Sequence, residues 1–562
     1  MKLSVIATSV MFAAAISVQT SQAATYQITE ITPSDDFKQH FGKAIGDDGT
    51  VVGVMRDQFN FPIYPEEYLS TMTYNGISCS VSDEEIGTGN FDAFSTTCIR
   101  AALVDSASGN ATYQKVASLK SFKSDANQAL FYPLADVEDP ELGTYTYSNF
   151  EQLVAINSDG IAVGTASAPY IPTMFQQTGD SAAIDPVKYW IREYSSRAVI
   201  DINGEKRTIE PEITQYGGET VATDISNFNT DLNVSFVSGQ TSIEIFESAQ
   251  DAIDANCNGE LFPVDVCVWS LSSQGSIYKS RPVVWQIDPS GNIVSSKIFD
   301  IAFEPTEEQT GNYNAITSAV NSSGVAVGYG QIPRTDGFIV TQPLIYTDEG
   351  TNTFIDVDDY LSGYAVDINN SNVVIGHVQS SFSNNYKDKF FIYDMDSNSF
   401  ETPTTFYETA ESNANAINDN GIVVGEAEYE ITNESVRRKH GFIYDSVSKE
   451  FFDINDLVDC GSEYDIYSLN DINNNNQIVA SALKLVDVRD ALGVVSTNSD
   501  GTVNQEQVSV TLLLDPINGE PENCSDIDDS GYERQGLSTT FGFISMLFGL
   551  MLGRRWYRIR AA

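Results

Sequence analysis

Chemistry at neutral pH needs a base, a nucleophile or a metal, and this chain is sparing with all three. Its 562 residues contain only three histidines, His40, His377 and His440. No GxSxG, HExxH or phosphate-binding glycine loop occurs. Acid–base work would therefore fall to carboxylates. With 78 Asp and Glu against 30 Lys and Arg, these are too numerous for spacing to single out a pair. Two carboxylates facing each other across a cleft would make an extracellular carbohydrate-active enzyme, one as acid and the other as base or nucleophile. Without such a pair, the remaining chemistry is recognition of a glycan or protein. That non-catalytic reading is preferred, with the enzyme as the alternative.

Other candidates are weighed against plainer readings. Asp526-Ile527-Asp528-Asp529-Ser530-Gly531 begins like an acidic calcium loop, with Asp526, Asp528 and Ser530 as oxygen ligands. Loop position twelve, which should be a bidentate carboxylate, is Leu537, a departure from the EF-hand pattern. Asp47, Asp48 and Asp419 could also meet a cation, although turn geometry alone explains Asp and Asn at such positions. Arg437-Arg438-Lys439 precedes His440 and is the densest basic run in the body. It reads as a solvated loop entering a strand, or as a surface for an anion. The 27 Tyr and 30 Phe could stack on sugars, but their spacing suits core packing.

The net charge of −48 excludes nucleic acid and anionic lipid headgroups as partners. The ends set the compartment. Lys2, an apolar stretch and Ser21-Gln22-Ala23 form a secretory signal over residues 1–23, with cleavage between Ala23 and Ala24. Residues 537–553 are uncharged and precede Arg554, Arg555, Arg558 and Arg560. This predicts a transmembrane or sorting helix with a basic cytoplasmic end, 554–562, behind an acidic spacer, 516–536. The tail would touch the membrane at least transiently and could be cut by a membrane protease. In an exported chain an even number of cysteines favours disulfides. Sequence-local pairing predicts Cys79–Cys98, Cys257–Cys267 and Cys460–Cys524.

Between the ends, the chain repeats itself. AINDNGIVVG begins at Ala416, and related copies begin at Ala44, Ala155, Ala319, Asp367 and Asp471, with a degraded one near Asp224. Each reads as strand, tight turn, strand, the Asn-x-x-Gly supplying residues that tolerate positive φ. A second motif alternates with it: HGFIYD from His440, KFFIYD from Lys389 and PLIYTD from Pro343. Ile99 to Asp105 and Pro186 to Trp190 read as earlier versions. Four short strands in roughly 50 residues is a propeller blade. The chain begins with a lone strand, 26–31, and ends with another, 508–515, so one blade is shared by both termini. The expectation is an all-β, seven-bladed β-propeller over 24–515, closed by its N- and C-terminal strands. Insertions are expected near 56–97, 120–150, 165–186 and 240–280.

The pairing of HGFIYD-type strands with AINDNGIVVG-type hairpins resembles the HAF repeat of bacterial extracellular proteins. The signal, acidic body, cysteine couples and basic-ended tail look like a domain-of-unknown-function family of Gram-negative surface proteins with such repeats. The resemblance implies a cell-surface, outer-membrane-associated or secreted location, and supplies no chemistry.

Overall fold

The structure is a computed structural model describing residues 25–519, apart from 33, 35, 107–109, 118, 126, 141, 180–182, 184, 307–312, 383–384, 432–436 and 499. Seven four-stranded antiparallel sheets follow one another around a ring. Their inner strands are Phe37–Ile45, Glu151–Ile156, Thr220–Ile225, Ala315–Val320, Gly363–Ile368, Ser412–Ile417 and Asp465–Ile472, which define blades 1 to 7. Blade 7 takes its outer strand from the other end of the chain. Tyr26–Ile31 pairs with Gln505–Pro516, from Tyr26 opposite Pro516 to Ile31 opposite Thr511.

The repeat builds this ring through its turns. In blade 6 the Asn418 side-chain carbonyl accepts from the Asn420 and Ile422 amides at 3.1 and 3.0 Å, which closes the turn. Its Nδ2 reaches out and donates to the Asn473 carbonyl of blade 7 at 3.1 Å. Asn157, Asn321, Asn369 and Asn473 make the equivalent reach to Ser226, Asn369, Asn418 and Gly46. The last turn position must be left-handed: φ is 79° at Gly421, 58° at Asn372 and 59° at Asn476. Asn is among the few other residues that enter this region readily. Hence the copies at 367 and 471 spell Asn where those at 44, 155, 319 and 416 spell Gly.

The glycine that closes the motif has a different reason. Every inner strand is irregular near its end, as between Ala414 and Ala416, and the carbonyl two residues before the bulge comes close to the next strand. A Cβ on Gly425 would sit 2.1 Å from the Asn413 oxygen. Between blades, side chains from the repeated β-strands interlock, as Phe390, Phe442 and Tyr444 do between blades 5 and 6.

Some segments differ from the sequence expectation. Ile99 to Asp105 is not a strand but part of the helix Ala93–Ser106. Ile99, Ala102 and Leu103 are buried with helical spacing, and Cys98 bonds to Cys79 within the same core, which the insertion shares with blades 1 and 7. The third strand of blade 1 is Lys120–Asp125 instead, so 120–150 starts with blade strands and the insertion runs over 59–119. Val187–Ile191 is a strand, but it pairs with Ile171–Phe175 outside the blade; the third strand of blade 2 is Arg197–Ile202. Among the described residues no helix is long and apolar enough to cross a membrane, and the expected helix 537–553 lies outside them.

Replacing Gly425 by Ala should cost about 1–3 kcal/mol, because the opposing atom is backbone and cannot swing away. Urea unfolding of the variant beside the parent chain measures this.

Candidate functional site

Strand direction sorts the connections into two faces. The tight turns between first and second strands crowd one face, and the links between second and third strands emerge at the other. In blades 1, 2 and 3 those links are the insertions 59–119, 167–196 and 246–277, so all three rise on one side. The blade 7 link, 488–504, joins them where the Asn60 amide donates to the Ala491 carbonyl at 2.7 Å. Blades 4 to 6 have only short links here.

The insertions pack into one cap. The first carries the helices Asp83–Thr88 and Ala93–Ser106 and the Cys79–Cys98 disulfide. The third carries Glu247–Asn256 and Val264–Ser272, joined by Cys257–Cys267. Between them lies the hairpin of blade 2. Its Trp190 amide donates to the Ala111 carbonyl at 2.8 Å, and its ring meets Tyr64 edge-on at 4.9 Å. On the other side, Thr178 donates to the Glu260 carbonyl at 2.8 Å. The cap exposes apolar side chains, among them Met174 and Phe262 at 60% and 52%.

Under the cap, blades 1 and 2 are joined by a buried ionic cluster. Lys120 lies 2.7 Å from Asp136 and 3.3 Å from Glu151, all three almost wholly buried. Glu151 also accepts from the Leu134, Ala135 and Asp136 amides, fixing the course of the link 132–150. The lysine is further covered by the rings of Phe131 and Tyr147 at 5.3 and 5.4 Å.

A funnel of about 420 Å³ opens on the turn face, lined by inner-strand ends from every blade. Asp224, Asp367 and Asp471 lie in its wall. Burial raises the first to about 6, the second well above its usual range and the third to about 7; the carboxylates also press on one another. Some of their surface meets the funnel, but protein surrounds them closely enough for burial to dominate. Their oxygens are engaged, accepting from the Val320, Ile417 and Ile45 amides of the following blades at 2.9, 2.8 and 2.8 Å. Lys43 stands in the same funnel, its ammonium held below the usual range by desolvation.

The residues singled out by sequence scatter. His40 is buried on blade 1, and desolvation lowers it to about 4. His377 stacks on Tyr364 with ring centres 5.0 Å apart. His440 stacks on Tyr429 at 3.6 Å and meets Asp453 at 2.7 Å. The basic run beside it is a partly solvated loop entering the strand Lys439–Asp445, as expected, and its charges are paired rather than open to an anion. Arg437, Arg438 and Lys439 are each paired, with Glu428, Glu430 and Glu426. Asp48 caps its own turn through Thr50, while Asp419 accepts from Asn370 and Asn474 in the inter-blade network. Among the described residues no three His, Cys, Asp or Glu gather closely enough to hold a metal. Asp526, Asp528, Ser530, Ala23, Ala24, Cys524 and the tail arginines lie outside the described residues.

Sequence reasoning missed the cap as a unit and the aromatic cavity inside it. Tyr170, Trp190, Tyr194, Tyr216, Trp269 and Tyr278 surround that cavity, drawn from two insertions and the adjoining blade strands. The signal available was local: two cysteine couples and an aromatic density without the repeat's period.

A family model described as "Protein of unknown function (DUF3466)" matches residues 1–556. This overturns the HAF-repeat assignment, since the match spans nearly the whole chain. The strand–Asn-turn–strand motif follows from hairpin and blade geometry, and so reports fold rather than lineage. No curated protein matches the sequence. Among solved structures, an acylaminoacyl peptidase of Pyrococcus horikoshii is 11% identical with a TM-score of 0.35, covering 85% of this chain and 53% of that one. The propeller domain of the Trilobed protease of Pyrococcus furiosus is 10% identical with a TM-score of 0.29, covering 67% of this chain and 99% of that one. Dipeptidyl peptidase 4 of Porphyromonas gingivalis is 8% identical with a TM-score of 0.30, covering 65% and 53%. This chain thus spans about half the length of the first and third. At these values the likenesses carry no functional argument.

Two outcomes follow from the buried charges. Lys120→Met leaves Asp136 and Glu151 uncompensated and should cost about 3–5 kcal/mol in urea unfolding. The raised acids act through pH. The native chain keeps its protons to higher pH than the unfolded one, so their stabilisation is complete below about pH 4. It declines as pH rises towards 6 and 7, where Asp224 and Asp471 ionise. Asp471→Asn should show a shallower fall in urea midpoint between pH 4 and 7 than the parent; an unchanged slope would refute the assignment.

Proposed function

The chain belongs to the DUF3466 family, and from that premise we propose an exported, surface-associated or secreted propeller that binds a glycan or protein ligand without turning it over. Export rests on the signal-like residues 1–23, and attachment or sorting on the apolar stretch 537–553 with its arginines. The observation that carries the binding reading is the lopsided cap. A ring can close on short links alone, as blades 4 to 6 do, so the links of blades 7, 1, 2 and 3 are larger than closure requires. They spend two disulfides on surface elements and leave Met174, Phe262, Ile171 and Leu261 exposed there. Exposed apolar side chains grouped where the blade 2 hairpin meets the disulfide-braced third insertion are the composition of a recognition surface.

The carbohydrate-active alternative needs a free acid and a free base or nucleophile facing each other. The carboxylates shifted upward are Asp224, Asp367 and Asp471, and each already accepts a neighbouring blade's amide. Their location favours ring assembly over turnover.

The test uses the full-length chain against panels of glycans and peptides, with calcium and with a chelator. Binding should be lost in the pair Met174→Ser and Phe262→Ser, and kept in Phe338→Ser, an exposed residue of blade 4. Turnover of a polysaccharide or peptide that disappears with one carboxylate substitution would overturn the reading.

A further inference from the structure

The aromatic cavity within the cap has the chemistry of a ligand pocket with an anionic requirement. Its volume is about 50 Å³, the space of a few waters, enough for a carboxylate and the ring edge that carries it while the rest of a sugar stays at the mouth. Arg192 lines it, with its guanidinium 5.0 Å from the centre of the Tyr170 ring. Among the described residues Arg192 makes no hydrogen bond or ion pair; Arg197, the other arginine of this region, is bonded to the Gly217 and Gly218 carbonyls. Arg56, Arg281 and Arg489 likewise form no ion pair among the described residues; what sets Arg192 apart is its place in the wall of an aromatic cavity. A second cation stands close by. Lys115 lies 4.9 Å from the centre of the Trp269 ring, and burial together with the Arg192 charge lowers it to about 8. Trp190, in the cavity wall and 2% exposed, keeps its indole N–H without an acceptor among the described residues.

The other lining groups narrow the ligand. Tyr170 and Trp269 are half-buried, presenting ring surface to the cavity. Aromatic faces suit the C–H faces of a pyranose, and a guanidinium suits a carboxylate held in its plane. Three carboxylates also line the cavity: Glu193, Asp265 and Glu219, the last already accepting from the Ser195 hydroxyl at 2.6 Å. They would oppose a purely anionic group but can accept from sugar hydroxyls. A ligand with a carboxylate, several hydroxyls and an apolar ring face answers all of these at once.

Resting on the reading of the cap as a recognition surface, we propose that this cavity binds the terminal acidic sugar, a uronic-acid-type residue, of an anionic glycan. Arg192 receives the carboxylate, Trp269 and Tyr170 pack against the ring, and Glu219 and Asp265 take hydroxyl protons.

The chain has four tryptophans, two of them, Trp190 and Trp269, in this wall, so binding is readable by intrinsic fluorescence. The full-length protein is titrated with tetragalacturonate, maltotetraose and tetra-alanine. Saturable quenching by tetragalacturonate is expected, with maltotetraose at least tenfold weaker. Arg192→Gln should weaken the acidic sugar at least tenfold while leaving the urea midpoint unchanged; Trp269→Ala should abolish the quench. Equal affinity for maltotetraose, or an unaltered affinity in Arg192→Gln, overturns the proposal. Tighter binding of tetra-alanine that Trp269→Ala abolishes also overturns it, yet leaves the cap as the recognition surface. If the cap variants keep their binding to every ligand, the broader reading falls as well.

Discussion

A propeller is a set of separate sheets, and nothing in a sheet's own hydrogen bonding holds it to the next. Here the neighbours are fastened by asparagine side chains that leave one turn and end on the carbonyl of the following turn. Asn321 reaches blade 5, Asn369 blade 6, Asn418 blade 7 and Asn473 blade 1. Asn157 does the same between blades 2 and 3, and Asn229 substitutes in blade 3 by donating to the Ser322 carbonyl at 2.7 Å. Because these amides are local to the turn and also bridge it, the residue that shapes each hairpin also sets its distance from the next.

An aspartate clamp is superimposed on this belt, and it alternates. Blades 3, 5 and 7 carry Asp224, Asp367 and Asp471, where blades 4, 6 and 1 carry Ala319, Ala416 and Ala44. Each Asp accepts an amide from the alanine-bearing blade that follows. A two-step alternation cannot close on seven blades, so somewhere two alanine blades must adjoin. They are blades 1 and 2, with Ala44 and Ala155. At that same junction Gly46 occupies the asparagine position, so the belt is broken there too. The buried cluster Lys120–Asp136–Glu151 and the contact of Lys123 with Asp201 at 3.3 Å cross this one boundary. The junction that the repeat cannot serve is held by residues outside the repeat.

This explains what was legible. The hairpins at Ala319, Asp367, Ala416 and Asp471 announce themselves because one turn geometry selects the same residues each time. The shared seventh blade was readable from the unpaired strands at 26–31 and 508–515, since an open ring would leave both edges exposed. The Asp/Ala alternation is printed in the sequence, but its meaning depends on which amide lies across a blade boundary. Ile99 to Asp105 misled because a short apolar run carries no period of its own; length and neighbours decide between strand and helix. The cavity was least legible, for Trp190, Trp269 and Arg192 meet across insertions that share no repeat.

Two disulfides brace the cap. The blades bury repeated aromatic and branched side chains against two neighbours each, and the disulfide-bonded Cys460 lies outside the cap, in the link between blades 6 and 7. The third insertion has a small core around Ile253 and Val268, and such elements gain most from a covalent tie, whereas the first packs into the core of blades 1 and 7. Cys79–Cys98 closes a separation of 19 residues and Cys257–Cys267 one of 10, each within a single insertion rather than between insertions or to the ring. They therefore stiffen the individual insertions and leave their mutual packing to non-covalent contacts, such as Trp190 against Tyr64 and Thr178 with Glu260. The aromatic cavity lies where the braced third insertion meets the second, whose strands Ile171–Phe175 and Val187–Ile191 are tied by a hairpin ladder instead of a cystine, so its two walls are held by different means.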